Sequence, residues 1–191
     1  LAGTNNYLGL TYDAAARDAA KDAIDRHGTG TTGSRIANGS YTEHAKLERD
    51  LAAHLGKPSC IVFTTGYVTN LAAMAGLAGP DDVIFIDADA HACIIDIPEG
   101  GHGLVVIEGL YSMFGDIAPI AEFADVCERH GAYLYVDEAH SYGVFGEGGR
   151  GIAEEQGCLD KVDFYSGTFS KSLASVGGFC ASKHPEFELL R

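Results

Sequence analysis

Six short apolar runs alternate along the chain with segments in which apolar residues recur at helical spacing. The apolar runs are nearly continuous in hydrophobicity, which is typical of strands that are buried on both faces of a sheet. They lie at 60–65, 83–87, 104–108, 132–137, 162–166 and 178–182. Strands that alternate with helices predict an α/β fold with a mostly parallel sheet and helices on both faces.

The predicted helices carry recognisable start and stop signals. They lie at 13–27, 42–55, 67–78 and 119–130. Pro119 suits the first turn of the last of these helices, and Gly28, Gly56 and Gly131 follow three helix ends, where glycine readily takes the backbone conformation that terminates a helix. The glycine-rich stretch 28–39 is predicted to form neither a helix nor a strand.

Two connections between strands are unusually short. Only six residues separate Lys171 from Gly178, whereas a parallel crossover needs a dozen or more. We therefore expect strand 178–182 to run antiparallel to its predecessor. The connection near 92–103 is barely long enough for a crossover and contains Pro98 and several glycines. Either this crossover is irregular or residues are missing there, and we expect missing residues.

Composition narrows the function classes. The 191 residues carry a net charge of −14, which argues against a nucleic-acid surface because such surfaces need clustered Lys and Arg. No apolar run approaches the ~20 residues of a transmembrane helix. The five cysteines are scattered and form no C-x-x-C pair, so we expect free thiols, no metal site and a cytoplasmic location.

Residues that can bind a ligand or take part in catalysis directly follow five of the predicted strands. They are Gly66 with Tyr67, His91, Glu108, Asp137 with His140, and Lys171. Ligands of open parallel sheets bind beyond the carboxyl ends of the strands. The coincidence at five strands therefore predicts a single site.

Lys171, Asp137 and His140 are the residue types that pyridoxal phosphate needs. The lysine can form a Schiff base with the cofactor, and a strand-end aspartate can keep the ring nitrogen protonated. Hydroxyl groups near the lysine, such as those of Thr168 and Ser170, can bind the phosphate. The combined spacing favours a cofactor site over a surface lysine.

Several of these signals also have simpler interpretations. Thr65-Gly66-Tyr67 opens a helix whose free N–H groups suit a phosphate, but every strand–turn–helix offers such groups. Asp137 alone could be a helix cap, and His91 could be a solvated loop residue. Ser34-Arg35 could be part of a surface loop or could help to bind an anionic substrate.

At these residues the chain resembles the α-oxoamine synthases, pyridoxal-phosphate enzymes of the aspartate-aminotransferase fold type I. The resemblance rests on Asp137-Glu138-Ala139-His140 and on Gly167-Thr168-Phe169-Ser170-Lys171-Ser172, together with stretches 6–10, 33–39, 65–70, 89–91 and 108–116. The residues 168–172 look closest to the serine palmitoyltransferase branch, because sister branches more often read Thr-Leu-Gly-Lys-Ala there.

The resemblance implies a role for each matching residue. Lys171 would form the Schiff base, Asp137 would pair with the ring nitrogen, His140 would approach the ring's 3-oxygen and His91 would stack on the ring. The phosphate would be held by Gly66, Tyr67, Thr168 and Ser170, with Ser112 and Glu108 as further cofactor-site residues. Asn6, Tyr7, Ser34 and Arg35 would contact the substrates.

The resemblance also implies a reaction and an assembly. An amino acid, expected to be L-serine, would condense with a long-chain acyl-CoA with loss of CO2, giving a 3-ketosphinganine-like product. The alternatives are a sister synthase of the 8-amino-7-oxononanoate synthase or glycine C-acetyltransferase type, an aminotransferase of the same fold, and a non-catalytic partner subunit. Relatives are homodimers with a smaller C-terminal domain. We therefore expect an N-terminal segment (1–27) and an incomplete large cofactor-binding domain (28–191).

Overall fold

A computed structural model describes residues 3–87 and 103–191. Its strands are β1 (Ser59–Phe63), β2 (Val83–Ile86), β3 (Gly103–Glu108), β4 (Tyr133–Asp137), β5 (Phe164–Thr168) and β6 (Gly178–Ser182). They form one sheet in the order β1-β6-β5-β4-β3-β2. The predicted connection near 92–103 lies almost wholly outside the described residues.

The direction of the strands agrees with the sequence prediction. Strands β2, β3, β4 and β5 pair in parallel. Strand β6 is antiparallel to both of its neighbours, β5 and β1. The short connection after Lys171 therefore makes the antiparallel return that its length predicted.

The helices of the described residues are α1 (Ala14–His27), α2 (Thr42–Leu55), α3 (Gly66–Leu77), α4 (Ile120–His130) and α5 (Ile152–Glu155). Leu10–Tyr12 and Pro185–Leu190 form 3-10 helices. Gly56 and Gly131 end α2 and α4 with φ of 63° and 64°, a conformation that costs a residue with a side chain more than it costs glycine.

The boundaries of two predicted strands were wrong by a few residues. The run 60–65 ends as a strand at Phe63, because Thr65 caps α3 and accepts a 3.0 Å hydrogen bond from the backbone N–H of Val68. The run 162–166 forms its strand at Phe164–Thr168 instead, so that Thr168 pairs with Gly178. This shift brings Thr168 to the edge of the sheet where the ligand site was predicted.

Helices cover both faces of the sheet, as expected for its buried strands. Helix α3 packs against β5 and β6 on one face, where Met74, Tyr135 and Phe164 belong to one core cluster. Helices α2 and α4 cover the other face, where Leu51 and Ile120 belong to a second cluster. The two cores leave the carboxyl ends of the parallel strands as the accessible edge.

Candidate active site

A cleft of about 320 Å³ opens at the carboxyl edge of the sheet, beside the first turn of α3. The strand register creates it, because Asp137 on β4 lies opposite Ser166 on β5, and Thr168 lies opposite Gly178 on β6. The residues that line the cleft are Thr65, Gly66, Tyr67, Asn70, Asp137, Ala139, Gly167, Thr168, Ser170, Lys171, Val176 and Gly177. The sequence-predicted lysine and aspartate therefore share one cavity.

Asp137 forms one end of the cleft and is nearly buried, with 7% of its surface exposed. Its Oδ2 accepts a 2.6 Å hydrogen bond from the Nδ2 of Asn70, and its Oδ1 accepts a 2.8 Å bond from the backbone N–H of Ala139. The Oδ1 of Asn70 in turn accepts a 2.7 Å bond from the hydroxyl of Tyr135. This chain of hydrogen bonds fixes the carboxylate, whose remaining lone pairs suit an N–H donor from a ligand.

The first turn of α3 forms another side of the cleft, next to hydroxyl groups. A side chain at Gly66 would come within 2.9 Å of the Oγ1 of Thr168, so glycine is what lets the helix approach β5 so closely. The hydroxyls of Thr168 and Ser170 lie 2.8 Å apart. Backbone N–H groups at a helix N-terminus together with hydroxyl groups form a polar cradle that suits a phosphate.

Lys171 lies in the loop between β5 and β6 and lines the cleft, where it is partly exposed. The neighbouring Ser172 is buried and its hydroxyl donates a 2.6 Å hydrogen bond to the backbone carbonyl of Tyr142. Ala174 follows with a positive φ of 49°, a conformation that only glycine adopts readily. The loop is thereby held in a tight turn that keeps Lys171 at the cavity.

Comparison with known proteins agrees with this geometry. The model of the aminotransferase class I and II family matches residues 2–100 and 86–190. The chain belongs to this family. It is 47% identical to a serine palmitoyltransferase of Caulobacter vibrioides (strain NA1000 / CB15N) over 218 aligned positions, which cover 100% of this chain and 54% of that protein. It is 38% identical to a putative 8-amino-7-oxononanoate synthase 2 of Mycobacterium tuberculosis (strain ATCC 25618 / H37Rv), covering 100% of this chain and 28% of the relative.

A solved structure gives the same result for the fold. A serine palmitoyltransferase from S. paucimobilis, described with a bound PLP–myriocin aldimine, superposes with a TM-score of 0.94 at 42% identity. The match covers 99% of this chain and 54% of that structure. The chain thus spans about half the length of the serine palmitoyltransferases that it matches, and the fold is that of this aminotransferase family.

Four other predicted site residues form two contacts with each other. The hydroxyl of Tyr7 is 2.7 Å from the Nδ1 of His140, in the turn that follows Asp137. Glu108 is buried, and its Oε2 accepts a 3.3 Å hydrogen bond from the backbone N–H of the exposed Ser112. None of these four residues lines the cavity itself, so their roles toward cofactor and substrate stay predictions.

Arg35, which was predicted to contact the substrate, is hydrogen-bonded to other residues of the chain. Its guanidinium donates to the Oγ of Ser40 at 2.9 Å, to the carbonyl of Val62 at 3.1 Å and to the Oε1 of Glu48 at 2.9 Å. Burial of Glu48 in this ion pair indicates that Arg35 organises its loop. Neither Arg35 nor Ser34 lines the cleft, and their substrate role stays a prediction. His91 lies outside the described residues, and the contact of Asn6 with a substrate is likewise a prediction.

Asn70 lies in the stretch 65–70 that carries the family resemblance, but sequence reasoning gave it no role in the site. It lies one turn into α3, where Thr69 and Asn70 are buried polar residues in an otherwise apolar helix. The sequence signal for Asn70 was a polar residue in an apolar helix, four positions after Gly66 and so on the same side of the helix. Val176 also lines the cleft and carried no sequence signal.

The other sequence expectations concern thiols, metals and membranes. In the described ranges 3–87 and 103–191, Cys60, Cys127, Cys158 and Cys180 are all buried and free. No group of metal-binding side chains occurs in those ranges. Among the helices of these ranges, none has the length and apolarity that a membrane crossing requires.

Proposed function

We propose that this chain forms the cofactor-binding part of a pyridoxal 5'-phosphate-dependent α-oxoamine synthase. The expected reaction condenses L-serine with a long-chain acyl-CoA, releases CO2 and gives a 3-ketosphinganine-like product, which is the first step of sphingolipid synthesis. The observation that carries the proposal is that Lys171, Asp137 and the N-terminus of α3 enclose one cleft. The identity to serine palmitoyltransferases over the whole chain supports the choice of reaction.

The residues present in the cleft fit pyridoxal phosphate. Backbone N–H groups of α3 and the hydroxyls of Thr168 and Ser170 surround a space that suits a phosphate. A Cβ at Gly66 would fill part of this space. The fixed carboxylate of Asp137 suits the protonated ring nitrogen, and Lys171 supplies the only lysine amine in the cavity lining. When bound, the cofactor would serve as the electron sink for a carbanion at the amino acid's α-carbon.

The side chains of this chain would then perform three tasks. The amine of Lys171 would hold the cofactor by condensing with its aldehyde, with loss of water, and as a free amine it would be placed to take up the α-proton. Asp137 would hold the proton on the ring nitrogen, because an anionic partner favours the charged form. His140 and His91 would contact the ring, as the family resemblance implies.

The proposal is tested first by trapping the bonded lysine. The chain is mixed with the cofactor, reduced with borohydride and digested, and the modified peptide is sequenced by mass spectrometry. We expect the pyridoxyl group on Lys171. A label on Lys161 or Lys183, which pair with Asp125 and Asp163 outside the cleft, would contradict the assignment.

The substrate is tested with the full-length protein. Serine, alanine and glycine are each supplied with a long-chain acyl-CoA, and the products are analysed by mass spectrometry. We expect the serine product to dominate. A preference for alanine would favour the 8-amino-7-oxononanoate synthase alternative, which the 38% identity to the mycobacterial relative supports. A preference for glycine would favour the glycine C-acetyltransferase alternative.

We further propose that the functional protein is a cytoplasmic homodimer and that an internal segment is missing near 92–103. Buried free thiols support the reducing compartment. The alignment of 218 positions is 27 longer than the 191-residue chain, and the two matches to the family model overlap at 86–100. Light scattering across a dilution series should show a dimer whose cofactor affinity falls on dissociation, and a monomer with unchanged affinity would contradict the proposal.

A further inference from the structure

The N-terminal segment docks on the turn that carries His140. The hydroxyl of Tyr7 lies 2.7 Å from the Nδ1 of His140, and the two rings are tilted at 51° with their centroids 6.2 Å apart. One residue later, the side chain of Leu8 lies against Gly143, since a Cβ there would be 3.6 Å from the Cδ1 of Leu8. Two consecutive residues of one segment therefore contact both ends of one turn.

Hydrogen bonds to Glu138 fix the backbone of this turn. The contact with Tyr7 is therefore left to orient the imidazole ring of His140. The backbone N–H groups of Ser141 and Tyr142 both donate to the carbonyl of Glu138, at 3.0 and 2.7 Å. The Glu138 side chain is fully buried and accepts hydrogen bonds from the backbone N–H groups of Ile152 and Ala153. With the backbone fixed, the hydrogen bond at Nδ1 determines which nitrogen of the neutral His140 ring carries the proton.

We propose that Tyr7 is a positioning residue that holds His140 in the tautomer protonated at Nε2, by donating a hydrogen bond from its hydroxyl to Nδ1. An imidazole whose Nδ1 accepts a hydrogen bond must, when neutral, carry its proton on Nε2. The ring then presents an N–H group rather than a lone pair at its other nitrogen.

The Tyr7 hydroxyl has a second possible acceptor, and donation to that acceptor would favour the other tautomer of His140. The hydroxyl of Tyr7 also lies 3.3 Å from the Oδ1 of Asn5. If the proton went there, the hydroxyl would accept from an Nδ1–H of His140, and the opposite tautomer would result. The 2.7 Å contact has the usual length of a hydroxyl hydrogen bond, whereas 3.3 Å lies beyond the usual range. Partial desolvation raises the pKa of Tyr7, which keeps its hydroxyl protonated although 42% of the residue is exposed.

The tautomer has a consequence for the proposed function, on which this step of the inference rests. The family resemblance places His140 near the 3-oxygen of the cofactor ring. An Nε2–H group could donate a hydrogen bond to that oxygen, whereas a lone pair would repel it. Tyr7, predicted from sequence to contact substrate, would then act on the cofactor through His140.

The tautomer can be measured without cofactor or turnover. Long-range 1H–15N NMR of the ¹⁵N-histidine-labelled chain, at mildly alkaline pH where neutral imidazole dominates, separates protonated from unprotonated ring nitrogens. A His140→Gln variant assigns the resonances. We expect an unprotonated Nδ1 in the wild type and a mixture of tautomers in Tyr7→Phe. Tyr12→Phe is the matched control, because Tyr12 is an exposed tyrosine in the same segment.

A second measurement separates failure of this inference from failure of the proposed function. We expect Tyr7→Phe to weaken pyridoxal phosphate binding about three- to tenfold in an absorbance titration, the usual effect of losing one well-placed hydrogen bond, with Tyr12→Phe unchanged. A protonated Nδ1 in the wild type, or a tautomer unaffected by Tyr7→Phe, would overturn the inference. Absence of cofactor binding in every variant, with the NMR result as expected, would instead count against the cofactor assignment.

Discussion

The side-chain amide of Asn70 donates a 2.6 Å hydrogen bond to the carboxylate of Asp137. This contact joins the first turns of α3 to the end of β4, so it ties one side of the cleft to the other. Both residues are nearly buried, with 3% and 7% of their surface exposed. The acid proposed to contact the ring nitrogen is therefore held in place by the same helix whose N-terminus is proposed to bind the phosphate.

Replacing Asn70 with alanine should destabilise the cofactor-free chain. The change removes one hydrogen-bond donor from the carboxylate of Asp137 and the Asn70 acceptor from the hydroxyl of Tyr135. Losing two buried hydrogen bonds of this kind costs about 2–3 kcal/mol together. Urea unfolding measures the loss, and Tyr135→Phe is the matched control that removes only the outer hydrogen bond. If Asn70→Ala were no worse than Tyr135→Phe, the bond to Asp137 would be unimportant for stability.

Lys171→Ala should abolish covalent attachment of pyridoxal phosphate while leaving the fold intact. Lys171 is partly exposed at the cavity, so truncating its side chain creates no hole in either core cluster. The absorbance of the bound cofactor and circular dichroism give the two readouts. Lys183→Ala is the control, because Lys183 lies at the opposite end of the sheet, 2.9 Å from Asp163. Retained covalent attachment in Lys171→Ala would assign the chemistry to another amine.

The sequence predicted the sheet well because hydrophobic continuity and connection length are local signals. Strand 178–182 was assigned its antiparallel direction from the six residues that precede it, and the structure confirms that direction. Strand ends were predicted less well. Strand β1 ends before Thr65 because the side chain of Thr65 caps α3. The apolar run of the strand alone does not show that a helix follows.

The site was predictable only where chemistry and strand ends coincide. Lys171, Asp137, Thr168, Ser170, Gly66 and Tyr67 all line the cleft. Asn70 was missed because its partner Asp137 is 67 residues away, and no local pattern records such a pair. Arg35 was selected for its charge, but the sequence does not reveal that Glu48 and the carbonyl of Val62 occupy its guanidinium.

Asp137→Asn should still bind the cofactor but lose most turnover in the full-length enzyme. The amide preserves the size of the side chain, whereas it lacks the negative charge that favours a protonated ring nitrogen. A cofactor without that proton is a weaker electron sink, so we expect turnover to fall at least a hundredfold. Steady-state kinetics and the cofactor's absorbance are compared with those of the wild type. Turnover at the wild-type level would rule out this role for Asp137.

Glu138 should make the stability of the chain depend on pH in an unusual direction. Burial raises its pKa from 4.5 to about 7, although the hydroxyl of Ser141 and two backbone N–H groups, those of Ile152 and Ala153, oppose the shift. Between these two values the unfolded chain has already lost the proton that the folded chain retains. Stability must therefore fall as pH rises through this window, by about 3 kcal/mol from this residue alone.

Glu138→Gln tests that assignment, because glutamine has nearly the same shape and does not titrate. We expect the variant to be less stable than the wild type at low pH, since its NH2 group cannot accept the hydrogen bond that the corresponding oxygen of the neutral carboxyl group accepts. Its stability should fall less between pH 4.5 and about 7 than that of the wild type. Urea unfolding at several pH values gives both comparisons. Glu147→Gln provides the control, since Glu147 is an exposed glutamate in the loop before α5. Parallel pH profiles for the wild type and Glu138→Gln would show that Glu138 is ionised throughout and that its three donors outweigh its burial.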